Sequence, residues 1–167
     1  MELGIYTALR TQIETHLGDR IKHVRLFNNQ FERSNDDKGG VENAFPYPCV
    51  FLQFSDKSFK DLLKGVQQVE MTLTTHLGFE SYKTEDTEIL QLKQDLYVIV
   101  QRFVTGYFDK VTRTSEIQDF DHSNIQVYRT EYRVAGKDYD KDTRATIQVT
   151  PTLTLSATTI QLSAITN

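Results

Sequence analysis

VQQVEMTLTTHLG, residues 66–78, alternates more cleanly than any other stretch of this chain. Val69, Met71, Leu73, Thr75 and Leu77 fall on one side, and Gln68, Glu70, Thr72, Thr74 and His76 on the other. Successive strand residues face opposite sides of a sheet, so the pattern predicts a long strand with one buried and one wet face. A denser apolar run, Val50, Phe51, Leu52 and Phe54, precedes it, and a helical pattern follows. The strand is therefore expected at the centre of an antiparallel sheet, with both neighbours packed on its apolar side.

Downstream, Ile89, Leu92, Leu96, Ile99 and Phe103 follow a three-then-four spacing, and Val100, Val104 and Tyr107 widen the stripe. This is a helix with one face laid on the sheet. Thr84 or Asp86 is placed to cap its start, Glu85, Asp86 and Glu88 suit the positive end of its dipole, and Gly106 marks its expected end. Near the amino terminus, Ile5, Leu9, Ile13 and Leu17 recur every fourth residue, and Gly18 and Asp19 close that helix. Residues 21–27 read as a strand that is apolar on both faces, either covered on both sides or set at an interface. Pro46 and Pro48 lead into a strand at residues 49–55. KSFKDLLK, residues 57–64, reads as a short polar connection of about one helical turn. Residues 110–119 and 124–134 read as two strands joined by a turn at residues 121–124, and KDYDK, residues 137–141, as a charged break.

At 167 residues the chain has the usual size of one domain, able to bury roughly two-thirds of its unfolded surface. A formal charge of −4 argues against broad attraction to nucleic acid, because affinity for phosphates independent of sequence comes from Lys and Arg. No run approaches the roughly 20 apolar residues that cross a bilayer, and the start lacks the basic-then-apolar pattern of a secretion signal. Synthesis in the cytoplasm and no membrane partner are expected. Cys49 is the only cysteine, which excludes an internal disulfide and a thiolate metal cluster. At the head of an apolar strand it reads as a small buried hydrophobe.

Catalytic signatures are missing from the sequence. His16, His23, His76 and His122 lie on separate elements, without an HExxH pair, and Asp36 and Asp37 before Gly39 and Gly40 lack the alternating ligands of a calcium loop. No phosphate-cradling glycine loop, GxGxxG or GxSxG occurs. No metal, cofactor or catalytic residue is assigned, and the chain is expected not to be an enzyme. The remaining class is a structural or assembly protein that acts through its surfaces, and two stretches fit it. Residues 28–43, NNQFERSNDDKGGVEN, are too polar for the core and read as a long projecting loop. Within it Phe31 is either a contact residue or folded back on the body, and Glu32, Asp36 and Asp37 are further interface candidates. Beyond Arg144 no charged side chain occurs, and the Thr-, Ile- and Leu-rich segment holds Pro151, Leu153, Leu155, Ile160 and Leu162 as candidate contacts. Thr152, Leu153, Thr154 and Leu155 alternate as a half-buried strand requires, and Pro151 marks a bend. Residues 145–167 are therefore expected to be a partner-seeking β arm. The alternative is that they form the last strands of the same domain.

The order of elements, together with FPYPCVFL at residues 45–52, the strand at residues 69–77, the helix at residues 89–107 and the pattern of residues 121–134, resembles the tail-terminator proteins of long-tailed bacteriophages. The resemblance covers residues 1–134. It implies an α+β fold with a mixed, mostly antiparallel sheet backed by two helices, here extended by the β-rich C-terminal arm, so that residues 1–137 form the terminator-like domain and 138–167 the extension. It further implies a ring, commonly a hexamer, in the virion, assembled in the host bacterial cytoplasm. Such a ring binds the tail tube protein at the head-proximal end, stops tube growth and meets a neck or connector protein. DNA passes its channel without specific binding, which suits an acidic or neutral lumen. A neck or head-tail connector component of similar fold and a small α+β enzyme without a recognisable motif remain the alternatives.

Overall fold

The computed structural model describes residues 2–31, 46–63, 65–80, 84–103, 108–119 and 125–139. Helix α1 (Glu2–Leu17) leads through a 3-10 turn (Gly18–Arg20) to the short strand β1 (His23–Leu26). Strands β2 (Cys49–Leu63) and β3 (Val66–Glu80) form a hairpin, followed by helix α2 (Asp86–Gln101) and a second antiparallel pair, β4 (Phe108–Asp119) and β5 (Ile125–Tyr139). The five strands make one sheet in the order β1-β2-β3-β5-β4, with β1 parallel to β2 and the other pairings antiparallel. This is the α+β class with a mixed sheet and two helices, and β3 is the middle strand, as its alternation predicts. Its whole length pairs with β5, from Val66 opposite Tyr139 to Glu80 opposite Ile125.

Both helices lie on one face of the sheet. Ile5, Leu9, Ile13 and Leu17 from α1 and Ile89, Leu92, Leu96, Ile99 and Val100 from α2 pack with Met71, Leu73, Leu77, Tyr132 and Val134 in the main core. These are the helical stripes legible in the sequence, and burying each large side chain contributes roughly 1.5–3 kcal/mol. Gly18 takes φ +53°, which glycine adopts without strain, and so turns the chain off the end of α1. Arg20 beside that turn holds Asp95 of α2 at 2.7 Å, which keeps the Asp95 carboxyl below its usual range.

Several boundaries differ from the sequence reading. Residues 57–63 are not a helical connection but the continuation of β2: Ser58, Phe59, Lys60 and Asp61 pair with Glu70, Val69, Gln68 and Gln67. Bulges between Ser55 and Ser58 and between Asp61 and Leu63 break the alternation, which is why the strand signal is weak there. Likewise Lys137 and Asp138 belong to β5 and not to a charged break, because β3 supplies ladder partners as far as Tyr139. Helix α2 ends at Gln101 and not at Gly106, and Phe103 turns into the core with 1% exposure. Its N-cap residue is Glu85, whose side chain makes no capping bond, so neither Thr84 nor Asp86 plays that part. Strand β1 is shorter than residues 21–27, and its two apolar faces are largely answered within the chain: Val24 joins the main core and Phe27 packs on the opposite side.

Candidate functional site

The sheet face away from the helices is divided into a covered end and an open expanse. At the covered end Phe31, Cys49, Phe51, Ile125 and Val127 form a second cluster, with Phe27 and Tyr47 against it. Of the two readings of Phe31, the structure shows the one in which it folds back: it is 2% exposed, edge-on to Phe51 at 5.1 Å. Its ring lies over Gly78, where an added Cβ would come within 2.6 Å of Phe31 Cε1 and 3.1 Å of Cys49 Sγ. Cys49 is buried as expected, and burial pushes its thiol far up.

The polar side of β3 is not wet throughout, contrary to what its alternation predicts. Thr74 and His76 are 4% and 6% exposed. His76 stacks on Phe27 with ring centroids 3.9 Å apart, and its Nε2 lies 3.0 Å from Gln53 Oε1. Burial, and secondarily the nearby Arg129 guanidinium, lowers the His76 pKa from 6.5 to about 4, so the ring is neutral at physiological pH. The alternation of β3 could not reveal the burial of His76, because the residues on it, Phe27 after β1 and Gln53 of β2, are remote in the chain.

Toward the tip of the β2–β3 hairpin the face is open and charged. A hollow there is lined by Asp56, Ser58, Glu70, Thr72, Thr114, Glu131 and Arg133, among others. Arg133 donates to Glu70 and Arg129 to Glu131, while Ser115 Oγ also donates to Glu131 at 2.9 Å. Arg129, Glu131, Glu70 and Arg133 on this face are thus engaged with each other. The signal for it in the sequence is the alternating YRTEYR of residues 128–133, which puts Arg129, Glu131 and Arg133 on one side.

The two long edges of the sheet differ. On β4, the outer strand, the side chain of Gln101 at the end of α2 donates from Nε2 to the Val111 carbonyl at 2.8 Å and accepts from the Arg113 N–H at 3.4 Å. Lys93 of α2 binds Glu116 at 2.8 Å, and Arg113 lies over the Tyr97 ring at 4.0 Å. Bulges interrupt the β4 ladder at two places, and bulges, charge and cover are the devices that keep an edge from pairing with another chain. On the other side, β1 pairs only with residues 49–52 of β2, and Phe27 N–H takes the Leu52 carbonyl at 2.9 Å. Among the described residues no strand pairs with the outer side of β2 from 53 to 63. Phe59 and Leu62 stand there 56% and 42% exposed.

No family model and no curated protein matches this chain. Among solved structures it is similar to a chain from the virion of a native gene transfer agent particle, with 7% identity and a TM-score of 0.48 over 79% of this chain and 93% of that one.

Of the interface candidates read from sequence, only Phe31 lies within the described residues. Glu32, Asp36, Asp37, Pro151, Leu153, Leu155, Ile160 and Leu162 lie outside them. Sequence reasoning misses Phe59 and Leu62, because KSFKDLLK reads as a polar connection, and Gln101, whose role depends on where α2 stops. Among the described residues no group of three or more His, Cys, Asp or Glu side chains is placed to hold a metal, and no helix is long and apolar enough to cross a membrane.

Proposed function

We propose that this chain is a structural protein of a phage-type virion that assembles into a closed ring, of six copies, at the head-proximal end of the tail tube. There it ends tube growth and joins the tail to the neck. The observation that carries this reading is the architecture: a mixed sheet with a long central strand, backed on one face by two helices, is what the resemblance to tail terminators implies. The chemistry of the surface supports a protein that acts by contact. Its conspicuous features are a polar face whose Arg129 and Arg133 are already bound to glutamates, and a β2 edge that no strand among the described residues pairs beyond Leu52 and that carries exposed apolar residues.

The tail tube protein and a neck or connector protein are the partners in this proposal, and DNA passes the ring without specific binding. The lumen is acidic or neutral, because like charge keeps DNA from adhering. Residues 28–43, with Glu32, Asp36, Asp37 and Glu42, line or flank it.

The test is the mass of the particle in solution, alone and with tail tube protein. A ring of defined stoichiometry that caps tubes and halts their elongation is expected. A protein that stays monomeric at high concentration and in the presence of tubes refutes the reading. One that binds a neck protein but leaves tube growth untouched refutes the terminator assignment in favour of a connector.

A further inference from the structure

We propose that the outer edge of β2, residues 53–63, with which no strand among the described residues pairs, is the docking site for residues 152–162 of a second copy of this chain, which add there as a strand. The inference rests on the ring reading and names the contact that builds the ring.

The edge comes first. The covering of β2 by β1 ends at Leu52, and eleven residues of β2 continue beyond it. Phe59 and Leu62 on that length expose apolar surface that β2 and β3 do not cover. The β4 edge, by contrast, is answered by Gln101 and ringed by the Lys93, Glu116 and Arg113 charges. Both strands carry two bulges, and Lys57, Lys60 and Asp61 charge the β2 stretch as Arg113 and Glu116 charge β4. The difference lies in cover: Gln101 occupies backbone groups of β4, and among the described residues no strand pairs with β2 beyond Leu52.

The occupant follows from where the chain leaves the described structure. Strand β5 ends at Tyr139, opposite Val66, beside the hairpin turn at Gly65. Twenty-eight residues follow Tyr139 in the sequence. Residues 140–144, DKDTR, are mostly charged and suit a solvated connector, and the charge-free segment after them has the composition of a strand. Thr152 to Leu155 alternate, so Leu153 and Leu155 share one face and can cover Phe59 while the backbone pairs. Backbone hydrogen bonds give such strand addition its affinity, and alternate side chains give it specificity.

The ring reading selects a second copy. The chain leaves β5 heading past the hairpin tip, about 14 Å of sheet from its own β2 edge. The twelve residues 140–151 span up to roughly 40 Å and reach either that edge or a neighbour's, and a ring requires the neighbour's. Launch point and receptor lie on opposite flanks of the same hairpin. A contact between two different patches of one chain is heterologous and propagates from copy to copy until rotation closes it into a ring.

Disulfide trapping in the full-length protein tests this. Single cysteines are placed at residues 58 and 60 in one preparation and at residues 153 to 156 in another, and the two are mixed and oxidised. Cys49 is buried and does not interfere. Cross-links between chains, formed only in the mixture, are expected for at least one pair. In doubly substituted chains, a link confined within one chain overturns the proposal, as does the absence of any link across the panel. As a second variant, Phe59→Glu is expected to cut the assembled fraction roughly tenfold or more while the monomer keeps its circular dichroism spectrum. Unchanged assembly in Phe59→Glu counts against the proposal. If rings of the expected mass form without the cross-link, this contact is wrong and the ring reading stands. If no ring forms under any condition, the ring reading itself fails.

Discussion

At the scale of single residues, burial decides the behaviour of His76. Its folded pKa, about 4, lies below the unfolded value of 6.5, so between those limits the unfolded chain binds the proton more strongly. Stability is complete above pH 6.5, falls as the pH drops through that window, and loses nothing further from this group below pH 4. The full shift corresponds to roughly 3 kcal/mol. Urea midpoints between pH 4 and 7 are expected to slope with pH in the native protein and to flatten in His76→Gln; an unchanged slope refutes the assignment. Gly78 is held by contact rather than by backbone angle, because the Phe31 ring occupies the place of a side chain. Gly78→Ala should destabilise by about 1–3 kcal/mol, as overpacking does. Combined with Phe31→Leu, it should cost less than the two single changes added together. Strict additivity in that cycle would show that the two positions do not touch.

At the scale of elements, the join between α2 and β4 is the informative one. Gln101 is the last residue of α2, and its amide satisfies a carbonyl and an N–H of the sheet's outer strand. Gln101→Ala is expected to lower stability by about 1–2 kcal/mol for the two bonds lost, and to speed hydrogen exchange at the Arg113 amide. An Arg113 amide that exchanges at the original rate would show that the side chain does not guard this edge. The β2–β3 hairpin owes its length to pairing and not to composition. Lys60 and Asp61 are poor strand formers, yet Gln68 and Gln67 opposite them complete the ladder.

For the whole molecule, the division of labour among the described residues is between one sheet face closed by two helices and another partly exposed, with the β4 edge guarded by Gln101 and the β2 edge beyond Leu52 paired with no described strand. Deleting residues 152–167 is expected to leave the monomer folded and to abolish assembly, read as an unchanged thermal transition together with loss of the ring by light scattering. A truncated chain that no longer folds would place that segment in its own core. An assembled lumen lined mainly by Arg and Lys would contradict the neutral or acidic channel.

The sequence alone determined the fold class, the apolar stripes of both helices and the central place of β3, because helix and strand periodicities are local properties of consecutive residues. Ile5, Leu9, Ile13 and Leu17 had to share a face whatever they packed against, and so did Met71, Leu73 and Leu77. Only the tertiary structure decided that Phe31 lies on Gly78, that His76 is buried on its supposedly wet side, that β2 runs on through KSFKDLL, and that Gln101 guards β4 while no strand among the described residues pairs with β2 beyond Leu52. Each of these depends on a partner remote in the chain. Local periodicity sets which way a side chain faces, but not what arrives to cover it.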